Sequence, residues 1–134
     1  EREMCFIGGG AGMAPLRSHI LNQLEGLNTD RMISFWYGAR SKKEMFYDDV
    51  FKDLEKKNKN FTFHVSMSDP EESDNWTGLK GFVHINLYEH YLKNHDDPAE
   101  IEYYLCGPPP MIDSIISMLD DMGVEENMIH YDKF

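Results

Sequence analysis

Residues 4–15 read Met-Cys-Phe-Ile-Gly-Gly-Gly-Ala-Gly-Met-Ala-Pro. A short apolar run gives way to four glycines within five positions, and Pro15 follows. The run suits a buried strand. Pro15 suits the first turn of a helix, where its missing N–H costs little. Glycines between the two let backbone amides approach a ligand that a Cβ would keep away. The helix start behind them offers unpaired N–H groups and a partial positive charge. An ordinary strand-to-helix turn needs fewer glycines than this. Gly8, Gly9, Gly10, Ala11, Gly12, Met13 and Pro15 are therefore expected to hold a pyrophosphate. The dehydrogenase fingerprint G-x-G-x-x-G fits poorly, because its third glycine would fall on Met13. That fingerprint also asks for an acidic residue after the second strand, where Gly38-Ala39-Arg40 stands. The loop is a nucleotide loop of another kind.

The rest of the chain alternates in the same way. Apolar runs predict strands over 4–7, 32–37, 61–67, 101–106 and 128–131. Helical spacing predicts helices over 15–26, 42–57, 82–92 and 111–122. In the second helix Phe46, Val50 and Leu54 recur on an otherwise charged surface; in the last, Ile112, Ile115, Ile116 and Leu119 share a face. Residues 68–80 are polar and turn-rich, which predicts a loop. Strands alternating with helices imply parallel pairing and right-handed crossovers. Continuous apolar strands imply a sheet covered on both faces. The expected fold is α/β, a three-layer αβα sandwich around a five-stranded parallel sheet, with residues 1–134 forming one nucleotide-binding domain. Ligands of such sheets sit at the carboxyl ends of the strands. The segments to examine are thus 8–15, 38–41, 66–69 and 106–111. Glu1 stands where a Met would start a chain, and a strand begins almost at once, as in a piece of a longer protein.

Composition removes several function classes. Lys and Arg number 13 against 24 Asp and Glu, a net charge of −11. A nucleic-acid surface needs a basic stripe, and an anionic membrane surface attracts basic segments. The acidic balance favours a soluble, monomeric fragment. An apolar share of 41% is too high for a disordered segment. No apolar run approaches the ~20 residues of a membrane span. The two cysteines, Cys5 and Cys106, form no C-x-x-C and make neither a disulfide scaffold nor a zinc site, which suits a reducing compartment. The six histidines show no metal-ligand spacing and read as core or surface residues.

Two motifs carry a family resemblance. Gly8 to Pro15 resembles the G-x-G-x-G-x-x-P loop of the ferredoxin–NADP reductase superfamily. Cys106-Gly107-Pro108-Pro109-Pro110-Met111 resembles the C-G-P-x-x-M segment of the same superfamily. Within it, Phe35-Trp36-Tyr37-Gly38-Ala39-Arg40-Ser41, Glu44-Met45-Phe46-Tyr47, Ser68-Asp69-Pro70 and Asp74-Asn75-Trp76-Thr77-Gly78 resemble the NADH-binding domain of the F subunits of sodium-translocating NADH:quinone oxidoreductases.

The resemblance implies a set of roles. The glycine loop would hold the pyrophosphate of NADH. Gly38, Ala39 and Arg40 would also bind the cofactor, Ser68 and Asp69 would stand at its ribose, and Phe82 would stack on adenine. Asp69 stands where NADPH-using relatives carry an Arg for the 2′-phosphate, which favours NADH. Cys106 would sit beside the nicotinamide, with Gly107, Pro108 and Met111 shaping its pocket. Phe134 would cover the flavin ring and yield to the nicotinamide. The implied chemistry is hydride transfer from NADH to FAD, followed by electron flow to a 2Fe–2S centre and to quinone. The FAD and 2Fe–2S domains are expected on the same polypeptide, outside these residues. The other subunits of a membrane complex would be partners, at the cytoplasmic side of a bacterial inner membrane. Two alternatives stand beside this reading: the NADH-binding domain of an oxygenase reductase component, and a nucleotide-sensing module without redox chemistry.

Overall fold

A computed structural model describes residues 2–10, 13–45 and 48–133. Ala11 and Gly12 of the glycine loop, the Phe46 and Tyr47 motif residues, and Phe134 lie outside the described residues.

The chain runs β1 (Met4–Gly9), α1 (Met13–Leu21), β2 (Ile33–Ala39), α2 (Asp48–Lys57), β3 (Phe61–Met67), β4 (Leu79–Lys80), α3 (Val83–His90), β5 (Glu102–Gly107), α4 (Pro109–Asp121) and β6 (Ile129–Lys133). All neighbouring strands pair in parallel, in the spatial order β4-β3-β2-β1-β5-β6. The three-layer α/β expectation holds. The strand count does not: among the described residues there are six strands rather than five. The addition is β4, two residues inside the stretch expected to be a loop. Two residues show no alternation and carry no periodic signal.

Each helix forms for a legible reason. In α1 and the wider turn that continues it to Gly26, Leu16, Ile20 and Leu24 recur at spacing four and are buried. Helix α2 begins on Asp48 and Asp49 and ends on Lys56 and Lys57, matching the helix dipole at both ends. It buries Phe51 and Leu54. Helix α4 starts at Pro109 and Pro110 and buries Ile112, Ile115 and Leu119.

The central strands β1 and β2 are buried on both faces, as the middle of a parallel sheet requires. Phe6, Phe35 and Phe61 pack with Ile20 and Phe51 under α1 and α2. Their strand neighbours Ile7 and Trp36 turn to the opposite face and pack with Leu87, Leu105 and Ile115 under α3 and α4. This alternation fixes the register, since a one-residue slip would exchange the two cores. Among the described residues no helix is long and apolar enough to cross a membrane.

After β1 the chain moves outward through β2, β3 and β4, then returns to place β5 on the other side of β1. The strand order therefore reverses between β1 and β5. Loops leaving these two strands diverge to opposite faces and open a crevice at their carboxyl ends.

Candidate functional site

That crevice is a cleft of about 680 Å³. Its size lies within the few-hundred to ~1,000 Å³ range of small-molecule sites. It collects segments far apart in sequence: Gly9 and Gly10 after β1, Gly38 to Arg40 at the end of β2, Ser68 after β3, Phe82 at the start of α3, and Pro108 and Met111 at the start of α4. Nine of the residues singled out from sequence thus share one wall or another of a single cleft. A smaller hollow of about 350 Å³ between α4 and β6 is bordered by Ile116, Val124 and Ile129 and by Asp113, Asp120 and Glu126. It has neither the glycines nor the strand ends.

Close packing explains the glycines. A Cβ on Gly9 would run into the sulfur of Met111, and one on Gly107 would lie 2.6 Å from the Met111 methyl and 3.1 Å from the Gly9 carbonyl oxygen. The β1 and β5 ends can approach this closely only without side chains. Gly10 adopts φ +55°, the left-handed region that glycine enters freely. Gly38 faces Val83 of α3, where an added Cβ would stand 3.0 Å from Cγ1. Gly9, Gly10 and Gly38 thus border the cleft without side chains, Gly10 and Gly38 half-buried, and backbone of this kind can receive a phosphate group.

Loop positions are fixed by three sets of polar contacts. The Tyr37 hydroxyl lies 2.9 Å from the carbonyl oxygens of both Gly10 and Glu44. Its one proton serves one of them at a time. Burial, with Glu44 nearby, pushes the phenol up to about 12, so it stays a donor. Below β3, Asn86 Nδ2 donates to Ser66 Oγ at 2.6 Å and lies 2.9 Å from the Lys80 carbonyl oxygen; Ser66 Oγ donates to the Gly81 carbonyl at 2.6 Å. This fastens the start of α3 to the end of β3. On the outer side, the buried carboxylate of Asp74 accepts from the amides of Lys42 and Glu71, at 3.2 and 2.9 Å.

Among the described residues the acid bordering the cleft is Glu44. Its Oε1 accepts from the Arg40 amide and its Oε2 from Arg40 Nε, both at 2.8 Å. These bonds hold the carboxyl below its usual range against the upward push of partial burial. Burial lowers the pKa of His84, on the same rim.

The sequence-predicted residues divide clearly. Phe82 is 62% exposed on the rim, with its ring over His84 at a centroid distance of 6.1 Å. An aromatic so exposed presents a flat surface to whatever enters. Cys106 ends β5 but is buried in the α1 core, and burial followed by Asp132 raises its thiol pKa. Met13 is buried under α1, Gly8 is packed against Leu16 and Phe35, and Pro15 lies exposed in the first turns of α1. None of these four borders the cleft, and neither does Gly107. Asp69 is exposed and outside the lining; its amide donates to the Arg40 carbonyl at 2.8 Å.

Ser66 and Pro110, inside the segments marked for examination, also border the cleft, and sequence reasoning missed Glu44, Gly81, Val83, His84 and Ser114. Gly81 had a usable signal. It has φ +111° directly before a helix, a position that asks for glycine. Trp76, conspicuous in sequence, acts locally. Its indole N–H donates to the Leu79 carbonyl at 2.7 Å, and its ring fills the space beside Gly78.

Comparison with known proteins agrees with this geometry. Residues 6–116 match the family model described as "Oxidoreductase NAD-binding domain". The chain is 59% identical over 134 residues to the F subunit of the Na(+)-translocating NADH-quinone reductase of Actinobacillus succinogenes, covering all of this chain and 33% of that one. The F subunit of the Klebsiella pneumoniae reductase is 58% identical with the same coverage. The chain thus spans about a third of the length of these relatives. Among solved structures, a ferredoxin reductase in carbazole 1,9a-dioxygenase superposes with a TM-score of 0.76 at 30% identity, over 99% of this chain and 38% of that one. With the family model matching well over half of its residues, on a sheet whose glycine-lined crevice carries the expected loops, the chain belongs to the oxidoreductase NAD-binding domain family.

Proposed function

We propose that this chain binds NADH across the carboxyl edge of its sheet and presents the nicotinamide for hydride transfer to a flavin held by another domain of the same polypeptide. The single observation that carries the reading is the shared cleft of the β1 glycines and the Pro108–Met111 turn, at the point where strand order reverses. The dinucleotide spans this crossover. Amides of the glycine loop receive the pyrophosphate. Arg40, Ser68 and Phe82 lie on the adenosine side, with Phe82 offering a stacking face. Pro108 and Met111 form the nicotinamide side, with Gly107 and Cys106 behind them. Its thiol stays neutral, so it packs and orients rather than attacks.

A flavin bound on the partner domain would take up the hydride; the residues here bind and align the donor. Such alignment converts a chance encounter into a near-contact pair, which is worth several kcal/mol. Phe134 would act at the flavin side. The whole protein we infer to be the F subunit of a sodium-pumping NADH:quinone reductase, passing electrons to a 2Fe–2S centre and to quinone at the cytoplasmic side of a bacterial membrane. The 59% identity favours this over the oxygenase reductase reading, for which the corresponding likeness is 30%.

Titration calorimetry with NADH tests the reading. Saturable binding to the parent chain, lost when Gly10 is replaced by Val, is the expected result. A parent chain that binds no NADH, or a Gly10→Val chain that binds it as well, overturns the proposal.

A further inference from the structure

We propose that Glu44 sets the preference for NADH over NADPH, by occupying the guanidinium of Arg40 and by placing a carboxylate where a 2′-phosphate would lie. The proposal rests on the reading of the cleft as the dinucleotide site.

Three observations carry it. First, Arg40 is the one cation bordering the cleft among the described residues, and Glu44 is the one acid. Arg40 stands against the turn after β3, where the Ser68 amide donates to the Ala39 carbonyl at 2.9 Å and the Asp69 amide to the Arg40 carbonyl at 2.8 Å, on the β2–β3 side of the cleft where the adenosine half belongs. Second, Glu44 engages Arg40 twice, through the backbone amide and through Nε, at 2.8 Å each. An arginine is the natural grip for a phosphate, because its planar fork matches two oxygens. Here one edge of that fork is already turned to a carboxylate. Third, the neighbouring cation is diverted too. Lys43 Nζ pairs with Glu71 at 3.1 Å, and that turn is pinned by the buried Asp74.

The two dinucleotides differ only at the 2′ position. A ribose 2′-hydroxyl can donate to a carboxylate, whereas a 2′-phosphate meets its negative charge and finds the Nε edge of Arg40 already engaged. Asp69, the acid suggested by the sequence motif, is exposed and outside the lining, so it is less well placed for the same purpose.

The test measures dissociation constants for NADH and NADPH on the parent chain, on Glu44→Gln, and on the double variant Glu44→Gln/Arg40→Ala. Glutamine keeps an oxygen to accept the Arg40 amide and removes the charge. The ratio of the NADPH to the NADH constant should fall by roughly tenfold or more in Glu44→Gln. It should return toward the parent value in the double variant, where the freed grip is gone. A parent that prefers NADH together with an unchanged ratio in Glu44→Gln overturns this proposal and leaves the cleft reading intact. A lowered ratio that persists in the double variant overturns the role given to Arg40. A parent chain that binds neither dinucleotide overturns the cleft reading, and this proposal with it. Thermal melting of each variant confirms that binding is compared between folded chains.

Discussion

The sulfur of Met111 occupies the space that a side chain on Gly9 would need. The same thioether stands against Gly107, so one residue of α4 closes the gap between the ends of β1 and β5. Gly9→Ala should therefore push Met111 outward and shift the loop behind it. The expected cost is about 1–3 kcal/mol in urea unfolding, typical of an overpacked site, with a loss of NADH affinity. Gly9→Ala/Met111→Ala should recover part of that stability.

Tyr37→Phe keeps the ring in the core and removes the bridge between the Gly10 and Glu44 carbonyls. A lost hydrogen bond of this kind is worth about 1 kcal/mol. Amide exchange should quicken around Gly10 and Glu44 while the core strands stay protected. NADH affinity should drop several-fold, read by fluorescence titration.

Asn86→Ala removes the donor that ties Ser66 and Lys80 to α3. It leaves the Lys80 carbonyl short of a buried partner. The predicted destabilisation is about 1–3 kcal/mol, measured by urea midpoint. Exchange at Gly81 and Phe82 should rise more than exchange in β1.

His64 stacks on Trp36 at a centroid distance of 4.1 Å, and burial lowers its pKa from 6.5. The unfolded chain then binds a proton more readily than the folded one. The stability tied to the neutral ring is present above pH 6.5 and is lost as the pH falls toward the folded pKa. Burial shifts His19 and His84 in the same direction. The urea midpoint of the parent should fall between about pH 7 and pH 5. His64→Leu should flatten part of that slope, and an unchanged slope would show that the ring binds its proton equally in the folded and unfolded chains.

Much of the fold was legible because its signals are local. β3 runs over Phe61–Met67, the residues its apolar run indicates, and α4 shows its buried face as Ile112, Ile115 and Leu119. β1 and β5 reach two residues and one residue further than expected, because Gly8, Gly9 and Gly107 still pair within the sheet. β4 was invisible: two residues held beside β3 carry no pattern of their own. In the cleft, motifs that repeat a known spacing could be found, and Gly9, Gly10, Arg40, Phe82 and Met111 line it. Ser66 stood in a segment marked for its strand end; Glu44 and His84 could not be found, because they reach the cleft only through the packing of the crossovers. Asn86 was hidden for a related reason: a buried amide on α3 makes sense only once the Ser66 hydroxyl is beside it.

The triangle of Gly9, Gly107 and Met111 constrains ancestry as well as geometry. Where a lineage gains a methyl group at Gly9, residue 111 must shorten in the same lineage, and at Gly107, where the Gly9 backbone also stands in the way, the two strand ends must part as well. Aligned descendants of this chain should show those three positions changing together or staying fixed.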